Sequence, residues 1–199
     1  MSNLTLDDIA DVRAYERERA EFRRRVIALK KRRRVHVGPF VTLLFENRDT
    51  IRFQIQEMAR AERILTDQGI QTELDIYNPL IPEPGRLSAT MFLELTSEAQ
   101  LREWLPKLVG IETQVELRVG GSRGPGAAVV HGTVDPSHAS QLSREETTAS
   151  VHYIAFDLTP DQAAALAEGP VVLAVTHPAY SYETELDAET RAELAADSA

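Results

Sequence analysis

Apolar positions recur along the first thirty residues at the spacing of a helix. Val12, Tyr15, Phe22, Val26 and Leu29 fall on one face, interrupted only by Arg19. The pattern predicts a long helix capped by Thr5, with Asp8 completing an approximate capping box. It ends in Lys30-Lys31-Arg32-Arg33-Arg34, cations suited to the negative end of the helix dipole. Val35 to Val37 and Val41 to Phe45 then flank Gly38-Pro39, which predicts a short β-hairpin. A second helical stripe, Ile51, Ile55, Met58 and Leu65, starts near the cap Asp49 and stops at Gly69. Tyr77 to Gly85 reads as a linker.

After the linker one pattern occurs twice. Ala89 to Leu95 predicts a strand, Ser97 to Val109 a helix, and Gln114 to Val119 a strand. Val151 to Leu158, Pro160 to Ala167 and Val171 to Thr176 repeat that order. Thr96 and Thr159 are the natural N-caps, with Ser97 or Pro160 in the first helical turn. Two βαβ units in tandem suggest a split βαβ, or ferredoxin-like, arrangement. The fold class is therefore α+β: a long helix, a hairpin and a second helix, followed by the split βαβ unit with a long insertion. Residues 1–84 form the helical and hairpin part, 85–182 the split βαβ part, and 183–199 an acidic tail, all within one compact domain. The insertion, residues 120–150, contains one short strand at Ala127 to Val130.

Charge changes this picture by being uneven. Residues 11–40 carry 11 basic and 4 acidic side chains, while the whole chain has a net charge of −9. From Tyr180 onward six acids stand against Arg191 alone. Such asymmetry marks either a docking surface or two parts of one molecule that attract each other. Arg24, Arg25, Lys31, Arg32, Arg33 and Arg34 are the docking candidates. General nucleic-acid binding is disfavoured by the net charge, although phosphate contacts from Arg23 to Arg34 alone would suffice for it. The chain has no cysteine, which removes disulfides, thiolate nucleophiles and cysteine-ligated metal centres. No signal peptide or membrane span is legible, so a cytoplasmic protein is expected, with no cofactor indicated.

The second helix holds the best candidates for chemistry. Glu62 falls on its apolar stripe, Gln54 lies within one turn of Ile51 and Met58, and Glu57 neighbours Phe53 and Ile64. Carboxylates there must be paired, ligating or protonated, because an isolated buried charge is too costly. Two outcomes follow: a buried network with Arg60 and Arg63, or a ligand site between the helix and the sheet. For the second, Gln54, Glu57, Arg60 and Glu62 form the lining, with Arg48, His152, His177 and Tyr180 as contributors. None of the five histidines falls at a metal-ligand spacing, so no metal is expected. His152 and His177 share strand faces with apolar residues, the usual setting of a hydrogen-bonded structural histidine. His131 and His138 read as solvent residues. Gly120 to Gly126 follows a strand as an anion cradle would, but lacks the Lys-Ser/Thr of a P-loop.

Several blocks are similar to one known family. Phe22 to Arg34, Val37-Gly38-Pro39, Leu43 to Ile64, Asp75 to Pro82, Leu108 to Glu112, Ala149 to Tyr153 and His177 to Tyr180 resemble an uncharacterised bacterial domain-of-unknown-function family, DUF3501. The resemblance spans nearly the whole chain. It implies genes placed beside rubrerythrin-like proteins and iron–sulfur oxidoreductase subunits, and hence a role near redox or peroxide-handling machinery. It supplies no catalytic residues, and the Gly-rich stretch Ser122 to Ala128 is longer than the family pattern. The leading expectation is an accessory protein of a bacterial redox system with an iron–sulfur or di-iron partner. The alternative is a small-molecule- or metal-binding domain or enzyme with its site on the second helix. A homo-oligomer through an open sheet edge is compatible with either.

Overall fold

The computed structural model describes residues 3–120, 128–134 and 146–198. Asp8 accepts from the Thr5 N–H at 2.9 Å around a 3-10 turn, so the expected capping box exists one turn before the helix proper. Asp11 caps α1 (Val12–Arg33), accepting from the N–H groups of Arg13 and Ala14. Its buried face is Tyr15, Phe22 and Val26, each contributing about 1.5–3 kcal/mol by leaving water. β1 (Arg34–Val37) and β2 (Val41–Phe45) form the expected antiparallel hairpin. Its turn holds Gly38 at φ +73°, where any side chain would run into the Tyr180 hydroxyl and the Tyr182 ring.

Asn47, not Asp49, caps α2 (Arg48–Glu62), because its side chain accepts from the Thr50 N–H. The helix stops at Arg63, whose left-handed backbone (φ 56°) turns the chain away. Leu65, expected on the buried stripe, is therefore 78% exposed. A further helix, α3 (Asp67–Tyr77), follows with Thr66 as cap, and Gly69 lies in its first turn rather than ending a helix. The chain continues through β3 (Arg86–Leu93), α4 (Glu98–Trp104), β4 (Val115–Val119) and β5 (Ala128–His131). It closes with β6 (Val151–Asp157), α5 (Pro160–Glu168), β7 (Val171–His177), β8 (Tyr180–Glu185) and α6 (Ala188–Ser198). Thr159 caps α5 as expected, but Ser97 rather than Thr96 caps α4, with Gln100 closing the box.

The repeat is present, and its strands do not share one sheet. Two antiparallel sheets form, ordered β1-β2-β3-β6 and β5-β4-β7-β8. The first strands of the two units, β3 and β6, pair in one sheet; the second strands, β4 and β7, pair in the other. The mixed α+β class holds, while the ferredoxin-like sheet gives way to this two-sheet arrangement. The physical reason is that every one of these strands carries an apolar face. Leu87, Ala89 and Met91 on one sheet and Val115, Leu117 and Val119 on the other bury each other in a common core. The sheets also meet at their edges. Thr133 and Ala155 exchange backbone hydrogen bonds at one seam, and Thr184 on β8 donates to the His36 carbonyl at the other.

Strands from both sides of residue 84 share a sheet, since β2 pairs with β3. The stretch 183–199 is not a tail: it holds the end of β8 and all of α6. Its acids meet the basic end of α1, with Arg32 pairing with Glu193 at 2.7 Å and Arg33 with Glu193 and Asp197. The uneven charge is thus largely one part of the molecule attracting another. The outer face of the first sheet is buried too, because α1, α2 and α3 cross it. Much of the insertion, including Gly121 to Gly126 and His138, lies outside the described residues. Among the described residues no helix is long and apolar enough to cross a membrane.

Candidate functional site

Glu46 follows β2 directly, and its backbone is held on both sides. Its N–H donates to the Ser88 carbonyl at 2.7 Å, and its carbonyl accepts from Arg33 at 3.1 Å. The carboxylate is consequently set between the sheet's outer face and the start of α2, only 7% exposed. It accepts hydrogen bonds from the hydroxyls of Thr50 and Thr90, the latter at 2.6 Å. Among the described residues no cation forms an ion pair with it.

Glu46 faces a cavity of about 340 Å³ between α2, α3 and the first sheet. Leu44, Ile51, Leu80, Phe92 and Val151 supply the apolar lining. Lys30, Gln54, Tyr77, Thr90 and Tyr153 bring polar groups to the same space. Lys30 lies in the last turn of α1, its ammonium 5.3 Å over the Phe53 ring. Burial draws its pKa below the ordinary lysine value, Glu46 opposes that shift, and Arg34 adds to it. Burial, then Tyr77 and Glu46, push the Tyr153 phenol upward, so these groups share one electrostatic neighbourhood. A mostly apolar cavity with a few convergent polar groups is the usual form of a small-molecule site. A larger depression, of about 460 Å³, includes Asp75, Glu83 and Arg86 in its lining, all exposed, and lacks this character.

The residues selected from sequence go to several places. Gln54 alone lines the cavity. Glu57 is held by Arg19 through two 2.8 Å hydrogen bonds and by the Tyr15 hydroxyl at 2.6 Å. Arg19 and then Tyr15 hold its carboxyl below the ordinary glutamate value. The two polar interruptions, Arg19 on one apolar stripe and Glu57 near the other, thus account for each other. Arg60 pairs with Glu16, and Arg48 with Asp8, drawing the Asp8 pKa down to about 2. Glu62 is exposed because α2 ends there.

His152 contacts the Thr148 hydroxyl and the Ala149 carbonyl through Nε2. His177 Nε2 donates to the Val109 carbonyl and its Nδ1 accepts from the Ala179 N–H, both at 3.2 Å. The Tyr180 hydroxyl donates to Val37 O at 2.6 Å and accepts from the N–H groups of Phe40 and Val41. These three side chains tie loops and the β1–β2 turn to the barrel-like core, away from the cavity lining. His131 is exposed, 3.8 Å from Glu116. Among the described residues no group of three or more His, Asp or Glu gathers as metal ligands would.

Of the docking candidates, Arg33 is fully buried, and Arg32 and Arg34 pair with Glu193 and Glu94. Arg24, Arg25 and Lys31 remain exposed. The cavity residues that sequence reasoning passed over are Lys30, Glu46, Tyr77, Thr90 and Tyr153. Two of them carried a signal. Lys30 is one of only three lysines among 22 basic residues, and Glu46 terminates an all-apolar strand.

A crystal structure of a novel protein of unknown function from Burkholderia pseudomallei K96243 has the same fold. The two superpose with a TM-score of 0.88 at 40% identity, over 98% of this chain and 99% of that one. Among curated proteins no sequence matches the chain. Residues 3–198 match the family model described as a protein of unknown function, DUF3501, a span that includes every wall of the cavity, and the chain belongs to that family.

Proposed function

We propose that this chain is a small-molecule-binding domain whose site is the cavity between α2, α3 and the outer face of the first sheet. One observation carries the reading: the Glu46 carboxylate, buried and held by two threonine hydroxyls, faces an otherwise apolar space of about 340 Å³. A buried carboxylate without a paired cation is costly, and a protein retains one where a ligand's donor groups compensate. The ligand class that follows is a compact apolar molecule with one polar end.

The test is thermal unfolding with benzyl alcohol, benzylamine and benzoate, in the wild type and in Val151→Phe, which fills the cavity from its sheet wall. A ligand at a hundredfold excess over its Kd stabilises by about 2.7 kcal/mol, roughly 5–10 °C for a chain of this size. The expected result is a rise with at least one compound that disappears in the filled variant. Equal responses in both proteins, or none in either, would refute the reading.

An accessory role beside an iron–sulfur or di-iron partner is the second reading. It is supported by the family resemblance and by the exposed basic side chains of Arg24, Arg25 and Lys31 on α1. Affinity purification from the native bacterium tests it. Recovery of such a partner in near-equal amount supports it, and recovery of the chain alone counts against it.

A further inference from the structure

We propose that Lys30 is a nucleophilic amine that captures small apolar aldehydes or ketones as a Schiff base in the cavity beneath α2. The inference rests on the cavity reading above and adds the reaction.

Residue choice is the first support. The chain has three lysines, Lys30, Lys31 and Lys107, and every other basic residue is arginine. Guanidinium stays charged, whereas an amine can lose its proton and attack carbon. The five-cation run at the end of α1 places its first residue, a lysine, at the cavity; the neighbouring Lys31 is exposed. Lys107 pairs with Glu103 at 2.9 Å on the surface.

The surroundings are the second support. Leu44, Ile51 and Phe92 line the space with Lys30, and an apolar wall excludes the water that would hydrolyse an imine. Burial favours the neutral, nucleophilic form of the amine, against the opposing influence of Glu46 and Phe53.

Glu46 completes the chemistry from the same cavity. The Lys30 nitrogen lone pair attacks the carbonyl carbon, and the π electrons move to oxygen. The two amine protons pass by way of Glu46 from nitrogen to that oxygen, which departs as water while nitrogen closes the C=N bond. Amine and carbonyl thus give imine and water, with no oxidant or reductant.

The experiment is reductive trapping of the full chain with benzaldehyde and sodium cyanoborohydride, followed by proteolysis and mass spectrometry. Lys31 and Lys107 serve as internal controls. Lys30 is expected to acquire the benzyl group roughly tenfold faster than either, a barrier difference of about 1.4 kcal/mol. Benzyl alcohol, which has no carbonyl, is expected to slow labelling at Lys30 alone. Lys30→Arg is expected to keep the melting temperature while losing the fast label. Equal labelling of the three lysines would overturn the proposal. If benzyl alcohol then still raises the melting temperature, the cavity stands and only the amine chemistry falls; if it does not, both fall.

Discussion

Replacing Arg33 by methionine tests the logic of the α1–α6 junction. Methionine keeps an apolar stem of similar length and removes the guanidinium. In the native chain that group donates to the carbonyls of Phe45 at 2.9 Å and Glu46 at 3.1 Å, to Glu193 at 3.3 Å, and to Asp197. The arginine is 0% exposed and Asp197 is 8% exposed, so removal leaves a buried carboxylate without its cation. Breaking one side of such a pair costs about 3–5 kcal/mol. For a chain of this size the melting temperature falls by roughly 6–20 °C. Asp197→Asn leaves the arginine its other three acceptors and costs about 1–2 kcal/mol. The double variant restores charge neutrality, so its cost falls short of the sum by about 1–3 kcal/mol.

Acid dependence supplies a second signature. Burial raises the Asp197 pKa above 3.8 in the folded state, against the pull of Arg33. A raised folded value means stability that is present below 3.8 and lost as the pH climbs through the folded pKa. Removing Arg33 raises that value further, so the deficit of the methionine variant shrinks as the pH is lowered from 7 toward 4. Urea unfolding of the three variants at both values measures each term. A loss below about 1 kcal/mol for Arg33→Met, or strict additivity with Asp197→Asn, would refute the reasoning.

Two other substitutions probe the networks that sequence reading assigned to a ligand. Glu57→Gln removes the charge from a half-buried pair with Arg19 and is expected to cost about 1–2 kcal/mol by urea unfolding. Because the folded Glu57 pKa is lowered, its stabilisation is present above 4.5 and lost as the pH falls, so the variant's deficit disappears in acid. Tyr180→Phe frees the Val37 carbonyl and two N–H groups at the β1–β2 turn, at about 1–3 kcal/mol in thermal unfolding.

How far the sequence reached is clearest in particular elements. The stripe Tyr15, Phe22 and Val26 made α1 legible, and the Gly38 turn made the hairpin legible, because both signals lie within a few neighbouring residues. α3 was not legible: Gly69 reads as a stop, and only Leu74 of that helix is buried. β8 was missed because Tyr-Ser-Tyr-Glu-Thr-Glu has one fully buried side chain, Tyr180, and an otherwise largely exposed run. The acids of α6 looked like a solvated tail because their partners, Arg32 and Arg33, stand some 160 positions away in the chain.

Periodicity, caps and turn residues are local, and they alone established the α1 stripe, the hairpin, the repeated strand–helix–strand order and the absence of thiol chemistry. Pairing between distant strands is not encoded locally, since β3 matches β6 and β4 matches β7 only when two apolar faces close on one core. The same closure brings α1, β2 and α2 together, so that Lys30, hidden in a run of cations, and Glu46, hidden between a strand and a helix, meet in one cavity. Their chemistry depends on burial and on neighbours distant in sequence, and those exist only once the chain has folded.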